Sequence, residues 1–126
     1  MKQYLRKVQQ TVRRLGGKGE FQRAEHVKDQ IGPTFAEMLL TDASASGPPT
    51  LVLTDAPARG CHENSMKYVM SIGGELWSGF ALNDGVWRVH SWVVKDGAVI
   101  EATPEARERY VGIAVSTPER AAACFC

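Results

Sequence analysis

The chain is short of the residues that make a disulfide scaffold, a membrane span or a polyelectrolyte. Its 126 residues hold three cysteines, an odd count that suits free thiols better than a disulfide framework and points to a reducing, cytoplasmic setting. No apolar run reaches the roughly 20 residues that cross a bilayer. The basic opening MKQYLRKVQQTVRRL lacks the apolar core of a secretory signal. Lys and Arg number 15 against 14 Asp and Glu, a net charge of +1, which excludes coating nucleic acid with the whole surface. Repeats and low-complexity tracts are missing, and RRLGGKG lacks the glycine spacing of a phosphate loop. The length sets one domain, residues 1–126, with a helical part over 1–40 and the chemistry-bearing core over 50–116.

What is present falls into two patterns. In the first 15 residues Tyr4, Leu5, Val8, Val12 and Leu15 share one helical face, five basic residues crowd the rest, and Gly16-Gly17 ends the helix. EFQRAEHVKDQI, from Glu20 to Gly32-Pro33, reads as a second helix, and TFAEMLL as a third, short one from near Thr34. TDASASGPP is loop by composition. From Thr50 the period changes. TLVLT is a short strand, and CHENSMKYVMSI a helix with Met66, Val69, Met70 and Ile72 as its apolar stripe and Gly73-Gly74 as its stop. ELWSGFALN, VWRVHSWVV, AVIEAT and YVGIAVS read as strands, and TPERAAACF as a closing helix with Thr117 as N-cap. The fold class is therefore α+β: N-terminal helices, then a Cys-bearing helix packed on an antiparallel sheet of about four strands.

Two Asp-Gly pairs allow register to be worked out from the sequence. Asp-Gly between strand-like runs is a strong hairpin signal. With Asp96-Gly97 as a two-residue turn, Lys95 faces Ala98 and Val94 faces Val99, so His90, Trp92, Glu101 and Thr103 share one sheet face. Glu101 lies diagonal to His90, within reach of a long side chain, where a carboxylate can accept the Nδ1 proton of the imidazole. With Asp84-Gly85 as the other turn, Trp77 faces Trp92 and Gly79 faces His90. Gly79 leaves room beside the ring, and the two tryptophans wall it. Cys61 follows a glycine and opens a helix, where free N–H groups and the helix dipole favour a thiolate and can hold an oxyanion. Cys61, His90 and Glu101 thus form a nucleophile–base–orienter set. Asp96 is the rival carboxylate, although turn geometry already accounts for it. Asn64, one turn on from Gly60, either donates to substrate or aids the helix start.

The order Cys, His, acid resembles the papain-like cysteine fold, and within it the transglutaminase-like branch. There a helix-opening Cys is followed by a strand with His-x-Trp and a strand with an acid close before Thr and Pro. Here these stand as Cys61, HSW at His90 to Trp92, and EATP at Glu101 to Pro104. The resemblance covers residues 50–116. It departs from the branch in having Glu101 where Asp is usual, and in a compact span of 28 residues between Cys61 and His90. It implies acyl transfer through a thioester on a peptide or other amide-containing substrate: hydrolysis, glutamine deamidation or transamidation.

Other readings compete. Cys61, His62, His90, Cys124 and Cys126 supply zinc-ligand types, but the usual Cys-x₂₋₄-Cys pairs are missing. The expected site therefore has no metal and needs no cofactor, with catalytic Cys61, His90 and Glu101 and substrate-binding Asn64, Trp77, Gly79 and Trp92. The alternative is a non-catalytic binding module on the same scaffold, whose basic N-terminal helix engages nucleic acid or an acidic partner.

Overall fold

The computed structural model describes residues 3–23 and 31–115. Among these residues it is a mixed α+β structure with three helices and a curled, mostly antiparallel sheet. The helices are α1 (Gln3–Gly16), α2 (Pro33–Asp42) and α3 (Cys61–Ser71). The strands are β1 (Glu20–Phe21), β2 (Ser44–Ser46), β3 (Leu51–Val52), β4 (Glu75–Asn83), β5 (Val86–Lys95), β6 (Ala98–Glu101) and β7 (Arg109–Ala114). Among these residues no helix is long and apolar enough to cross a membrane.

The apolar stripe of α1 does what its spacing requires. Leu5, Val8 and Val12 are buried, with Tyr4 and Leu15 packed alongside. Gly16 closes the helix against the indole of Trp87, where a Cβ would stand 2.6 Å from Cη2. Pro33 occupies the first turn of α2, where its missing N–H costs nothing. Phe35, Ala36 and Leu39 turn inward and join the α1 residues in one core with Leu76, Phe80, Leu82, Trp87, Val111 and Ile113 of the sheet.

The sheet runs β2-β7-β4-β5-β6-β3, with β1 also paired to β5. Both Asp-Gly pairs form the expected two-residue turns. Asp84 and Gly85 have φ of 51° and 76°, Asp96 and Gly97 52° and 79°, the left-handed pairing that suits strand twist. Their registers follow: Trp77↔Trp92, Gly79↔His90 and Asn83↔Val86 in one hairpin, Val94↔Val99 and Lys95↔Ala98 in the other.

Four expectations need correction. Among the described residues the sheet has seven strands rather than about four, and two of its pairings, β1 with β5 and β3 with β6, are parallel. Glu20 and Phe21 are strand, not the start of a helix. Phe21 meets Phe80 edge-on at 5.4 Å, and the Arg13 guanidinium lies 4.8 Å from its centroid, contacts that outweigh local propensity. Residues 24–30 of that stretch, and the closing TPERAAACF, lie outside the described residues. Within TDASASGPP, Ser44–Ser46 is an edge strand on β7 whose small side chains give no alternating signal. Finally, α3 is rolled away from its methionine stripe. Met66, Met70 and Ile72 are 43, 82 and 55% exposed, while Ser65 is fully buried and Val69 packs on the core. Cys61, Ser65 and Val69, four residues apart, form the face that meets the sheet.

Candidate active site

Cys61 is the first residue of α3, and Gly60 before it takes the left-handed conformation at φ 83° and ψ 42°. A Cβ costs energy in that region, so glycine is the residue that lets the chain enter the helix at this angle. The first N–H groups of the helix have no carbonyl behind them within the helix, which places partial positive charge beside the sulfur. His90 stands mid-β5 and is 5% exposed; Glu101 ends β6 and is fully buried.

The three side chains meet. His90 Nε2 lies 2.9 and 3.0 Å from the two carboxylate oxygens of Glu101, and Cys61 and His90 are joined by a side-chain hydrogen bond. Register alone pointed to Nδ1 as the carboxylate's partner; the structure uses Nε2. The outer nitrogen of the ring spans the diagonal between strands, which leaves Nδ1 for the sulfur. Glu101 is held from every side. The Thr103 hydroxyl donates to it at 2.7 Å, the Thr103 N–H at 3.2 Å and the Tyr110 hydroxyl at 2.7 Å. A fully buried carboxylate is tolerable when its lone pairs are filled in this way.

These contacts set the protonation. Burial by itself pushes the Cys61 thiol up, but the hydrogen bond and charge of His90, with the backbone N–H of Ser91, overcome it and hold the thiol below its ordinary value. Burial works against a charged His90 as well; its bonds to Cys61 and Glu101 win, and the imidazole is raised. Glu101 is pushed up by burial and brought below its usual value by His90, Tyr110 and Thr103. All three shifts favour the charged forms, the thiol and the carboxyl moving down and the imidazole moving up. Beside them, burial pushes His62 below its ordinary value, and its Nδ1 lies 2.9 Å from the Ser91 hydroxyl, itself 2.8 Å from that of Ser78.

The residues expected to bind substrate are placed differently. The room expected beside His90 at Gly79 is occupied, because the β7 backbone passes there and a Cβ would stand 2.6 Å from Gly112 Cα. Trp92 is 1% exposed and lies inside, with its ring 6.2 Å from His90 at 21° and 4.9 Å from Tyr110. That position excludes water from the His90–Glu101 bond rather than offering a surface. Trp77 is half-buried and packs on the same cluster. Asn64 gives its amide hydrogens to backbone carbonyls, Pro57 O at 2.9 Å on the surface and Ala102 O at 3.0 Å at the sheet.

Sequence reasoning missed Tyr110 and Ser91. Thr103 was on the right face by register, but Tyr110 reaches Glu101 from β7, across β4 and β5, and no local pattern announces that. Ser91 contributes a backbone group, which has no sequence signature. Among the described residues no three His, Cys, Asp or Glu side chains cluster as metal ligands; the zinc alternative draws on Cys124 and Cys126, which lie outside them. No family model, curated protein or solved structure matches this chain.

Proposed function

We propose that the chain is a small cysteine-dependent hydrolase or acyltransferase on a transglutaminase-like variant of the papain-like core, working in a reducing, cytoplasmic setting. The observation that carries this reading is the unbroken hydrogen-bonded row Cys61–His90–Glu101, with the carboxylate fully satisfied. In it the Cys61 thiolate attacks the carbonyl carbon of an amide, and the C–O π electrons move to the oxygen. The N–H groups at the start of α3 receive that oxyanion. Collapse breaks the C–N bond, His90 gives its Nδ1 proton to the departing amine, and a thioester remains. Water or a second amine then attacks, His90 takes its proton, and the thiolate leaves. Glu101 keeps the ring aimed and the imidazolium stabilised throughout.

Reaction with iodoacetamide, mapped to Cys61 by mass spectrometry, tests this reading. The rate is expected to follow a thiolate that forms below the ordinary thiol value of 9.0. His90→Ala is expected to slow labelling near neutral pH by about tenfold or more, because the thiol loses the imidazolium that lowers its pKa. A Cys61 that reacts no faster than the unfolded chain, and that ignores His90→Ala, would remove the enzyme reading.

One observation favours a second reading. A concavity of about 330 Å³ on α1 is lined by Gln3, Arg6, Lys7 and Gln10, remote from the thiol in the sequence and basic in character. It suits an acidic partner or a nucleic-acid backbone on a binding module. A salt-sensitive affinity for DNA or RNA that Arg6→Gln with Lys7→Gln abolishes is the expected sign of it.

A further inference from the structure

The β5–β6 pairing stops at Val93↔Ile100, although β6 continues to Glu101 and β5 reaches back to Val86. Hydrogen-bonded rungs between antiparallel strands recur every second residue. The odd residues of β5 point their polar backbone groups to this edge: Val89 N–H donates to Gln22 Oε1 at 2.7 Å, and Trp87 O accepts from Gln22 N–H at 3.1 Å. The next rung would therefore join Ser91 to Ala102. Instead the first turn of α3 lies there and takes its groups. Ser91 N–H bonds to the Cys61 sulfur, and Ala102 O accepts from Asn64 Nδ2 at 3.0 Å. His62, between them, holds the Ser91 hydroxyl at 2.9 Å.

We infer that the start of α3 is a wedge replacing one rung of the sheet, and that Asn64 is the positioning residue that keeps the wedge in place. The inference rests on the acyl-transfer reading and deepens it. Ala102 is fully buried, so its carbonyl needs a donor. Asn64 supplies one, and with its other hydrogen ties Pro57, in the loop before the helix, to the same amide. Without Asn64 the nearest replacement for Ala102 O is the Ser91 N–H across the gap. Closing that rung takes the N–H from the sulfur and drives Cys61 outward, away from His90. Asn64 thus works through the sheet, with no contact to substrate.

Asn64→Ala and Asn64→Asp test this, with His90→Ala measured alongside and folding checked by thermal melting. The titratable groups near the thiol, His90, Glu101 and His62, are unchanged in Asn64→Ala, whereas Asn64→Asp adds a carboxylate whose own charge raises the thiol, so Asn64→Ala carries the test. The pH midpoint of Cys61 alkylation is expected to rise in each, slowing reaction near neutral pH by about fivefold or more. The rate above the midpoint should stay as in the wild type. A lowered melting temperature with an unmoved midpoint would mark Asn64 as structural only and overturn the inference. A His90 effect without an Asn64 effect defeats the wedge alone; neither effect defeats the acyl-transfer reading as well. Should both variants fail to fold, the wild-type protein still decides. The Ser91 amide proton resonance is expected to move as Cys61 titrates, and a resonance indifferent to that titration would overturn the wedge.

Discussion

Gly79→Ala is expected to destabilise the protein by on the order of 3 kcal/mol and to abolish rapid alkylation of Cys61. Gly79 pairs with His90 on one side and with Gly112 on the other. A Cβ at Gly79 runs into the carbonyl of Val111 and stands 2.6 Å from Gly112 Cα, both of them backbone that cannot rotate away. Gly112 is similarly confined: a Cβ there meets Ser78 O and lies 2.6 Å from the Trp92 ring. The two glycines let β7 and β4 approach closely where the sheet curls, and the curl seats Trp92 over His90. Relief of the clash must push β4 away from β7 and carry His90 with it. Gly47→Ala is the control, since a Cβ at Gly47 meets nothing within 4 Å and should cost less than about 0.5 kcal/mol. Urea denaturation of the two variants decides; a stable Gly79→Ala protein with a reactive thiol would refute the account.

Glu101→Gln is expected to cost about 3–5 kcal/mol where the His90–Glu101 pair is fully charged, because one member of a buried ion pair is removed. The side-chain amide matches the carboxylate in shape but not in capacity. Its NH₂ can accept nothing, yet donors from His90, Thr103 and Tyr110 all point at this site. The sign of the pH dependence follows from the shifts. Glu101 is lowered when folded, so its contribution is complete above its ordinary value of 4.5 and fades as pH falls through the folded value. His90 is raised when folded, so its contribution is complete below 6.5 and fades as pH rises through the folded value. Both act in full between 4.5 and 6.5. The stability gap between wild type and Glu101→Gln should be widest there and narrow toward alkaline pH. A gap that is flat across the range would mean the pair is not ionised as described. The same variant should raise the Cys61 thiol, because the imidazolium that Glu101 keeps charged lowers the thiol more than the direct charge of Glu101 raises it.

The difference between what the sequence foretold and what it did not follows the range of the interactions. Cys61 was placed at a helix start because Gly60 precedes it, and that is a property of neighbouring residues. His90 and Glu101 were placed on one face because Asp96-Gly97 forces a left-handed two-residue turn and side chains alternate along a strand. The misreadings of α3 and of residues 20–21 have the opposite origin. An apolar stripe of Met66, Met70 and Ile72 has the right spacing to be buried, but the helix is rolled by its own first turn, pinned through Asn64 and His62 to the sheet. Glu20 and Phe21 are drawn into the edge of β5 by contacts with residues far along the chain.

The sequence by itself determined the two hairpins, their register and the helix that opens on Cys61, since each depends on backbone preferences within a few residues. Tertiary structure alone decided which imidazole nitrogen meets Glu101, that Tyr110 and Thr103 complete its shell, and that Asn64 donates to Pro57 O and Ala102 O. Those outcomes depend on the curl of the sheet and the insertion of α3 between two strands. Both arise from close packing of distant segments, chiefly Gly79 against β7, and packing of that kind has no period that can be read along a single chain.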